Sequence, residues 1–198
     1  MPDLENFFGD RRAREIARHI TPDLSPEYEV IDIGANDCRV TEKVARQVGS
    51  IIPVDILDTG RNKTGLELTI YDGKTLPFPE ASFDAALLTF VLHHAVDPAA
   101  LFDEAKRVIR PDGRIVVIED TPASPLQRAL WEVIHERQHK RDSKLLEAHD
   151  IKTAEGWQQF FQQHRMRAVR VERFRNMWIS NGFYSHTAFV VEHDPTAT

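Results

Sequence analysis

The amino-acid sequence predicts an α/β fold built on a doubly wound, mostly parallel sheet of seven strands. Three observations support this prediction. Short apolar runs rich in β-branched residues alternate with helical patterns through the first two thirds of the chain. Each run is nearly continuous in apolar residues, which is typical of strands buried on both faces of a parallel sheet. An Asn-Gly pair, Asn181-Gly182, separates the last two runs and favours a chain reversal, so the final strands are expected to form an antiparallel hairpin.

The predicted elements follow one another in a repeated βαβ order. The predicted strands are Glu29–Ile33, Ile51–Asp55, Leu66–Tyr71, Phe83–Phe90, Arg114–Glu119, Ala168–Phe174 and Tyr184–Glu192. The predicted helices are Arg39–Val48, Pro98–Ile109, a polar stretch from Pro125 to about Leu146, and Ala154–His164. The segment Arg110–Gly113 is predicted to be a turn, since a type I turn favours Pro at its second position and Gly at its last.

Composition indicates one soluble domain, residues 1–193, followed by a short tail, residues 194–198. The chain is 41% hydrophobic and 28% charged, with a net charge of −6. It has no apolar run long enough to span a bilayer, and its N-terminus lacks the apolar block of a signal peptide, so a cytoplasmic location is expected. The single cysteine, Cys38, excludes an internal disulfide and any zinc site built from several thiolates.

Charge is unevenly distributed along the chain. Residues 121–175 contain eleven Lys or Arg and seven Asp or Glu, whereas the whole chain contains 25 and 31. The acidic total argues against a nucleic-acid partner. The basic segment has two interpretations, a solvated helical face or a surface that meets an anionic acceptor or partner.

The first motif that carries chemistry is a strand-to-helix junction, residues 30–39, in which Asp32 is followed by Gly34. A residue without Cβ permits a sharp turn and a close approach to a ligand, and the following helix offers its N–H groups. A plain structural turn is the alternative. Asp55 ends the next predicted strand, where a carboxylate can accept hydrogen bonds from both hydroxyls of a ribose. The alternative for Asp55 is a surface carboxylate that opens a turn.

The third motif is Tyr71-Asp72-Gly73, followed by the segment Leu76–Asp84. Asp72 could reach an adenine amino group, and the Leu-Pro-Phe segment could form a wall for the base. From Val30 to Glu119 the chain resembles the class I S-adenosylmethionine-dependent methyltransferases that act on small molecules (methyltransferase type 11-like), which have a Rossmann-like fold. The resemblance depends on Leu76–Phe78, Phe83-Asp84, Leu92-His93-His94 and Arg110–Gly113.

The resemblance implies S-adenosyl-L-methionine as the cofactor. Asp32 and Gly34 would border its methionine part, and Asp55 would hold its ribose. The remaining implied contacts are Asp72 and Gly73 at the adenine, and the backbone of Thr89 and Phe90 beside the reactive end. The family favours Gly at two loop positions that are Asn36 and Cys38 here. Asn tolerates left-handed backbone angles, so Asn36 is expected to preserve the turn as part of the cofactor site, whereas the Cβ of Cys38 narrows the approach.

His93 and His94 are the candidate catalytic residues. An imidazole with a pKa near neutrality at the carboxyl end of a strand can take a proton from an attacking hydroxyl or amine. Adjacent residues that leave a strand point in different directions, so at most one of the two is expected to face the site. The alternative is that one is buried and hydrogen-bonded and the other solvated. Methyl transfer can also proceed through positioning alone.

A rival motif lies in the polar helical stretch. His135, Glu136 and His139 match the H-E-x-x-H spacing of zinc peptidases. A third ligand is needed, and the candidates Glu147, His149 and Glu155 have no recognisable family spacing. No metal is therefore predicted, and zinc hydrolysis is the minor alternative.

The sequence therefore predicts methyl transfer from S-adenosylmethionine to an oxygen, nitrogen or carbon atom of a small molecule. Residues 121–165 are expected to form a helical insertion that covers the acceptor, and the alternatives for them are plain packing on the sheet or a homodimer contact. A non-catalytic S-adenosylmethionine-binding protein with a degenerate glycine loop is the main alternative function. A nicotinamide-dependent oxidoreductase is disfavoured because the second and third glycines of that fingerprint are missing.

Overall fold

A computed structural model describes residues 4–141, 151–180 and 182–196, with side chains described from residue 6 onward except at 135–141. Seven strands form one sheet in the order β3-β2-β1-β4-β5-β7-β6. Strand β7 runs antiparallel to both of its neighbours, and the other paired strands are parallel. The predicted sheet and its reversed C-terminal hairpin are confirmed. The strands are β1 Glu29–Ile33, β2 Ser50–Asp55, β3 Thr69–Ile70, β4 Phe83–Thr89, β5 Ile109–Asp120, β6 Met166–Phe174 and β7 His186–His193.

In the described part of the chain, six α-helices connect or precede these strands. They are α1 Leu4–Ile20, α2 Arg39–Val44, α3 Pro98–Val108, α4 Pro125–Arg141, α5 Ala154–Gln163 and α6 Met177–Ser180, and short 3-10 helices form at Thr21–Asp23 and Leu92–His94. The C-terminal part of the predicted polar helix, residues 142–146, and Asn181 lie outside the described residues. None of the helices in the described ranges is long and apolar enough to cross a membrane.

The N-terminal helix α1 was not among the predicted elements. Its buried residues Ala13, Ile16, Ala17 and Ile20 recur at the three- and four-residue spacing of one helical face. Arginines separate these apolar residues in the sequence. A search for continuous apolar runs therefore does not detect the apolar face. The spacing itself was the signal that identifies α1.

Helices cover both faces of the sheet. On one face α1 and α2 pack through Ile16, Ile20 and Val44 against Val30, Leu87 and other buried strand residues. On the opposite face α3 and α5 contribute a cluster of aromatic residues, Phe102, Trp157, Phe160 and Phe161, which meets Phe189 of β7. Because both faces are covered, β1, β4 and β5 are nearly continuous in apolar residues.

Three boundary predictions were wrong by three or more residues. Helix α2 ends at Val44 and not at the predicted Val48. Residues Arg110–Gly113, predicted as a turn, lie inside β5, where they form a bulge opposite Asp84. A Cβ on Gly113 would lie 2.7 Å from the Asp84 carbonyl oxygen, and Arg110 pairs with Glu29 at 2.7 Å and with Asp84. A bulge accommodates extra residues without ending the strand, so β5 continues through the segment. Strand β3 is shorter than predicted, since only Thr69 and Ile70 pair with β2.

The segment 121–165 has two parts in the structure. Helix α5 belongs to the layer that packs on the sheet, because Trp157 and Phe161 are fully buried in the main core. Helix α4 begins next to the carboxyl end of β5, where Trp131 donates a hydrogen bond to Asp120 at 2.7 Å. The cap over the acceptor therefore stays a prediction, and it concerns α4 and the residues that follow it.

Candidate functional site at the carboxyl edge of the sheet

The loop after β1 lies at the carboxyl edge of the sheet and has an unusual backbone. Gly34, Asn36 and Cys38 have φ angles of 79°, 49° and 58°, all in the left-handed region. The Gly34 and Ala35 N–H groups both donate to the Val54 carbonyl, at 2.8 and 3.1 Å. Asn36 therefore adopts the left-handed backbone expected of it, and the fully buried Cys38 adopts it as well. Asn36 and Cys38 thus adopt the left-handed backbone for which glycine is ordinarily favoured.

Gly34 is required by a neighbouring side chain. A Cβ at this position would lie 2.5 Å from Cγ2 of Val91, which belongs to the loop after β4. Real side chains essentially never approach so closely, and the positive φ adds backbone strain for any other residue. The glycine therefore brings the loops after β1 and β4 together, which is the junction where ligands of open α/β sheets bind.

Asp55, at the tip of β2, is tied to the same loop. Its Oδ2 accepts a hydrogen bond from the Asn36 N–H at 2.8 Å, and its Oδ1 accepts one from the Ile56 N–H at 2.7 Å. The Leu57 N–H makes a longer contact with Oδ1, at 3.4 Å, so the half-buried carboxylate keeps a free lone pair on Oδ2. Asp55 thus fixes the loop and remains able to accept hydrogen bonds from a ligand.

Asp32, at the end of β1, is almost completely buried beneath the loop. Thr41 of α2 donates a hydrogen bond to its Oδ2 at 2.6 Å. Burial raises the pKa of Asp32 to about 6, the Thr41 hydrogen bond lowers it in part, and the charge of Asp55 raises it further. Asp32 is therefore a carboxyl group that an adjacent cation would keep ionised.

Asp72 and Gly73 follow β3 and are exposed. The Lys74 and Thr75 N–H groups donate to Asp72 Oδ1, at 2.8 and 2.9 Å, and these bonds lower the pKa of Asp72. Gly73 has a φ of 76° and lies close to Ile56. Oδ2 of Asp72 remains available at the edge of the site.

The Leu76–Phe78 segment contributes mainly to the core. Leu76 is fully buried, and the Phe78 ring packs edge-on against Phe83 with centroids 5.2 Å apart. The sequence suggested that this segment forms a wall for the adenine base. In the structure Pro77 is the one exposed residue of the three, so it is the main part left for such a wall.

Thr89 and Phe90 end β4 beside the glycine loop. Phe90 has a φ of 57°, and its N–H donates to the Ile118 carbonyl at 2.7 Å. Left-handed backbone in an aromatic residue is strained, and such strain concentrates at functional sites. The Thr89 hydroxyl oxygen is buried and forms no hydrogen bond within the described part of the chain. The end of β4 thus offers a polar atom at the junction where the cofactor's reactive end is expected.

His93 and His94 differ in their surroundings. His93 is buried, and its Nδ1 pairs with the Glu119 carboxylate, which also accepts hydrogen bonds from the Val91 and Leu92 N–H groups at 3.2 and 2.8 Å. Burial acts to lower the pKa of His93, but Glu119 outweighs it and the pKa is raised. His94 is half-buried, with its ring centroid 4.0 Å from that of His93. The two rings are in contact, and the prediction that at most one of them faces the site stays a prediction.

A buried polar cluster that sequence reasoning missed lies at the end of β5. Asp120 Oδ1 is 2.8 Å from His186 Nδ1, and His186 Nε2 is 3.0 Å from the Ser180 hydroxyl. Burial acts to raise the pKa of Asp120, but the hydrogen bond and charge of His186 outweigh it and the pKa is lowered. An acidic residue directly after an apolar run was the available signal for Asp120. The contact with His186 depends on the pairing of β5 with β7, which sequence spacing does not reveal.

No group of three His, Cys, Asp or Glu side chains in the described ranges is placed to hold a metal ion. The backbone of His135, Glu136 and His139 lies on α4, but their side chains are outside what the structure describes, as are Glu147 and His149. Glu155, the third candidate, pairs with Arg173.

This chain is similar to a known protein family and to several curated proteins. Residues 31–117 match the family model of a methyltransferase domain. A demethylmenaquinone methyltransferase of Corynebacterium kroppenstedtii is 34% identical over 114 residues, which cover 55% of this chain and 49% of the relative. One from Corynebacterium efficiens is 31% identical over 137 residues, covering 65% and 59%. A ubiquinone/menaquinone biosynthesis C-methyltransferase of Hahella chejuensis is 31% identical over 119 residues, covering 52% and 48%. The chain spans about half the length of most of these curated relatives.

Solved structures agree on the fold. An S-adenosylmethionine-dependent methyltransferase from Thermotoga maritima superposes with a TM-score of 0.68 at 16% identity, covering 95% of this chain and 94% of that one. A geranyl diphosphate methyltransferase in complex with S-adenosylmethionine gives a TM-score of 0.68 at 12% identity, covering 93% and 85%. The predicted resemblance and the predicted fold class are both confirmed.

Proposed function

We propose, on the premise that residues 31–117 form a class I S-adenosylmethionine-dependent methyltransferase domain, that this chain transfers a methyl group from S-adenosylmethionine to a small molecule. One observation carries the proposal. The Gly34 loop, Asp55 and Asp72 lie at the carboxyl ends of three adjacent strands, β1, β2 and β3, in the order that a nucleoside bound across them needs.

The residues present fit the cofactor. Asp55 keeps a lone pair on Oδ2 and only a long second contact on Oδ1 for the ribose hydroxyls, and Oδ2 of the exposed Asp72 is available for an adenine amino group. The buried Asp32 provides negative charge beneath the loop, where the cationic methionine part is expected. The cofactor supplies the chemistry, a methyl group made electrophilic by the positive sulfonium.

The chain's own contribution to the reaction is mainly to position the two reactants. His93 Nδ1 is engaged with Glu119 and its Nε2 is buried, so this histidine holds the loop after β4 through Glu119. His94 remains the candidate to accept a proton from the acceptor. Alignment of acceptor, methyl carbon and sulfur can lower the barrier substantially without a base.

The acceptor that we propose is apolar and bears an oxygen substituent, such as a quinol. The curated relatives are named for methylation in quinone biosynthesis. In this chain Leu126, Leu130 and Val133 recur at helical spacing on α4 and are exposed, with 71%, 36% and 48% of their surface accessible. An exposed apolar face on the helix expected to cover the acceptor supports an apolar acceptor.

Methyl-labelled S-adenosylmethionine tests this proposal. The protein is incubated with a short-chain demethylmenaquinol and, separately, with polar amines and phenols, and both labelled product and S-adenosylhomocysteine are measured. We expect transfer to the quinol, and we expect Leu126→Ser with Leu130→Ser to lower kcat/KM for the quinol while cofactor affinity is unchanged. Cofactor binding without transfer to any acceptor would instead favour the non-catalytic alternative.

A further inference from the structure

Arg12 of helix α1 extends over the carboxyl edge of the sheet. Its guanidinium carbon lies 5.3 Å from the centre of the Phe90 ring, at the end of β4. Burial of the guanidinium among its neighbours lowers the pKa of Arg12, and the charges of Asp120 at the end of β5 and Asp37 in the loop after β1 offset this in part. The residue as a whole is exposed to solvent. Arg12 therefore reaches from outside the sheet to the edge where ligands of this fold bind.

Helix α1 is fixed in this position by contacts with α2. Arg39 donates hydrogen bonds to the Asn6 carbonyl at 3.1 Å and to its side-chain oxygen at 2.6 Å, and Lys43 pairs with Asp10 at 2.5 Å. A Cβ on Gly9 would lie 1.9 Å from the Arg39 guanidinium, so glycine leaves room for this contact. The helix that carries Arg12 is thus anchored to α2, the helix that follows the loop after β1.

The carboxylates near Arg12 are already engaged by other groups. Asp37 pairs with Arg39 at 3.1 Å, and Asp120 binds His186 at 2.8 Å and the Trp131 ring N–H at 2.7 Å. The Arg12 side chain forms no hydrogen bond and no ion pair with any residue in the described ranges.

Arg11 lies over the Trp178 ring, 4.6 Å from its centre and away from this edge, and two further arginines of α1 are paired within the helix. Arg14 pairs with Asp10, and Arg18 pairs with Glu15 at 2.9 Å, both within the helix. Arg12 is instead held against an aromatic ring, which orients a guanidinium without using its N–H donors. Five donors at the ligand-binding edge of an otherwise acidic site are thus left for a group from outside the chain.

We propose that Arg12 recognises an anionic oxygen of a ligand bound at this edge, such as a carboxylate or phenolate. A guanidinium binds a carboxylate through two parallel hydrogen bonds, which gives both affinity and orientation. The proposal rests on the proposed function, since it places Arg12 beside the cofactor and acceptor. The anion can come from the amino-acid end of the cofactor or from the acceptor, and the experiment separates the two sources.

The test measures the affinities of wild type, Arg12→Gln and Arg18→Gln by calorimetry. Arg18→Gln is the matched control, because it removes a guanidinium from the same helix that is paired with Glu15. The probes are S-adenosylhomocysteine, 5′-methylthioadenosine, which lacks the amino-acid end, and benzoate added to protein already saturated with S-adenosylhomocysteine. Thermal midpoints without ligand establish that the variants are folded, and Arg12→Lys provides a second variant that keeps the charge.

We expect Arg12→Gln to lower the affinity for one of the two carboxylate probes at least tenfold and to leave the affinity for 5′-methylthioadenosine unchanged. A lower affinity for S-adenosylhomocysteine assigns Arg12 to the cofactor, and a lower affinity for benzoate assigns it to the acceptor. Equal affinities of wild type and Arg12→Gln for all probes would overturn the proposal, as would equal losses in Arg12→Gln and Arg18→Gln. If wild type binds neither S-adenosylhomocysteine nor 5′-methylthioadenosine, the proposed function fails independently of Arg12.

Discussion

The N–H of Asn36 donates a hydrogen bond to Oδ2 of Asp55 at 2.8 Å, so the loop after β1 is tied to the tip of β2. We propose that the same carboxylate holds the ribose of the cofactor. Cofactor binding and the order of the loop would then be coupled through one side chain.

Replacement of Asp55 by Ala is expected to lower the affinity for S-adenosylhomocysteine about tenfold to a hundredfold, because hydrogen bonds to a charged group are lost. Asp58→Ala, in the exposed loop after β2, is the control and should keep its affinity. Calorimetric titration measures both variants. An unchanged affinity of Asp55→Ala would place the ribose elsewhere.

Gly34→Ala tests the close approach of the loops after β1 and β4. The new methyl group would lie 2.5 Å from Val91 Cγ2, and the φ of 79° adds strain. We expect a loss of about 2 to 4 kcal/mol in the free energy of unfolding. Gly60→Ala has a similar φ of 68° with nothing within 4 Å, so it reports the backbone strain alone.

The double variant Gly34→Ala with Val91→Ala should be more stable than the sum of the two single changes predicts, because the clash is removed. Denaturant unfolding measures the stability of wild type, of the three single variants Gly34→Ala, Val91→Ala and Gly60→Ala, and of the double variant. If Gly34→Ala lowers the free energy of unfolding no more than Gly60→Ala does, then steric conflict with Val91 is not the reason that position 34 requires glycine.

Asp32 gives a pH dependence with a definite sign. Its pKa in the folded protein is about 6, above the ordinary value of 3.8, so the folded state binds the proton more tightly. Its contribution to stability therefore falls as the pH rises from about 4 to about 6 and is constant above that. The difference in pKa corresponds to about 3 kcal/mol.

Asp32→Asn removes this dependence, so its stability relative to wild type should rise by up to about 3 kcal/mol between pH 4 and pH 7. Urea unfolding at several pH values measures the difference. Asp112→Asn, at an exposed position in the β5 bulge, is the control. A relative stability of Asp32→Asn that stays constant across this range would contradict the account of Asp32.

His93→Gln should destabilise the protein by about 3 to 5 kcal/mol near pH 6, because Glu119 would remain buried with its ionic partner removed. The pKa of His93 is raised in the folded state, so the stabilising contribution is complete below the ordinary value of 6.5 and decreases as the pH rises through the raised value. The cost of the substitution should therefore shrink above neutral pH. Adding Glu119→Gln should recover part of the loss, and a cost independent of pH and of Glu119 would show that the pair is not ionic.

Local patterns predicted the strands well where the strand is continuously apolar. β1 has the predicted bounds, Glu29–Ile33, since both faces of that strand are buried. β5 was misjudged at Arg110–Gly113, because a Pro-x-Gly sequence suits a turn and a bulge equally and only the contact of Gly113 with the Asp84 backbone decides between them. Local sequence does not contain that contact.

The site was predictable where it depends on strand ends. Asp32, Asp55 and Asp72 each follow an apolar run, and the parallel sheet brings such ends to one edge. The placement of Arg12 depends on the packing of α1 against the sheet, and the pairing of Asp120 with His186 depends on strand register. Both are tertiary relationships between distant segments, which residue spacing does not encode.

Calorimetric titration of the chain with S-adenosylmethionine, S-adenosylhomocysteine and NAD shows whether the carboxyl edge of β1, β2 and β3 binds S-adenosylmethionine, as we propose. We expect saturable binding of the first two at one site per chain, a matching rise in the thermal midpoint, and no response to NAD. Absence of binding by both S-adenosyl compounds at millimolar concentration, or an equal response to NAD, would contradict this proposal.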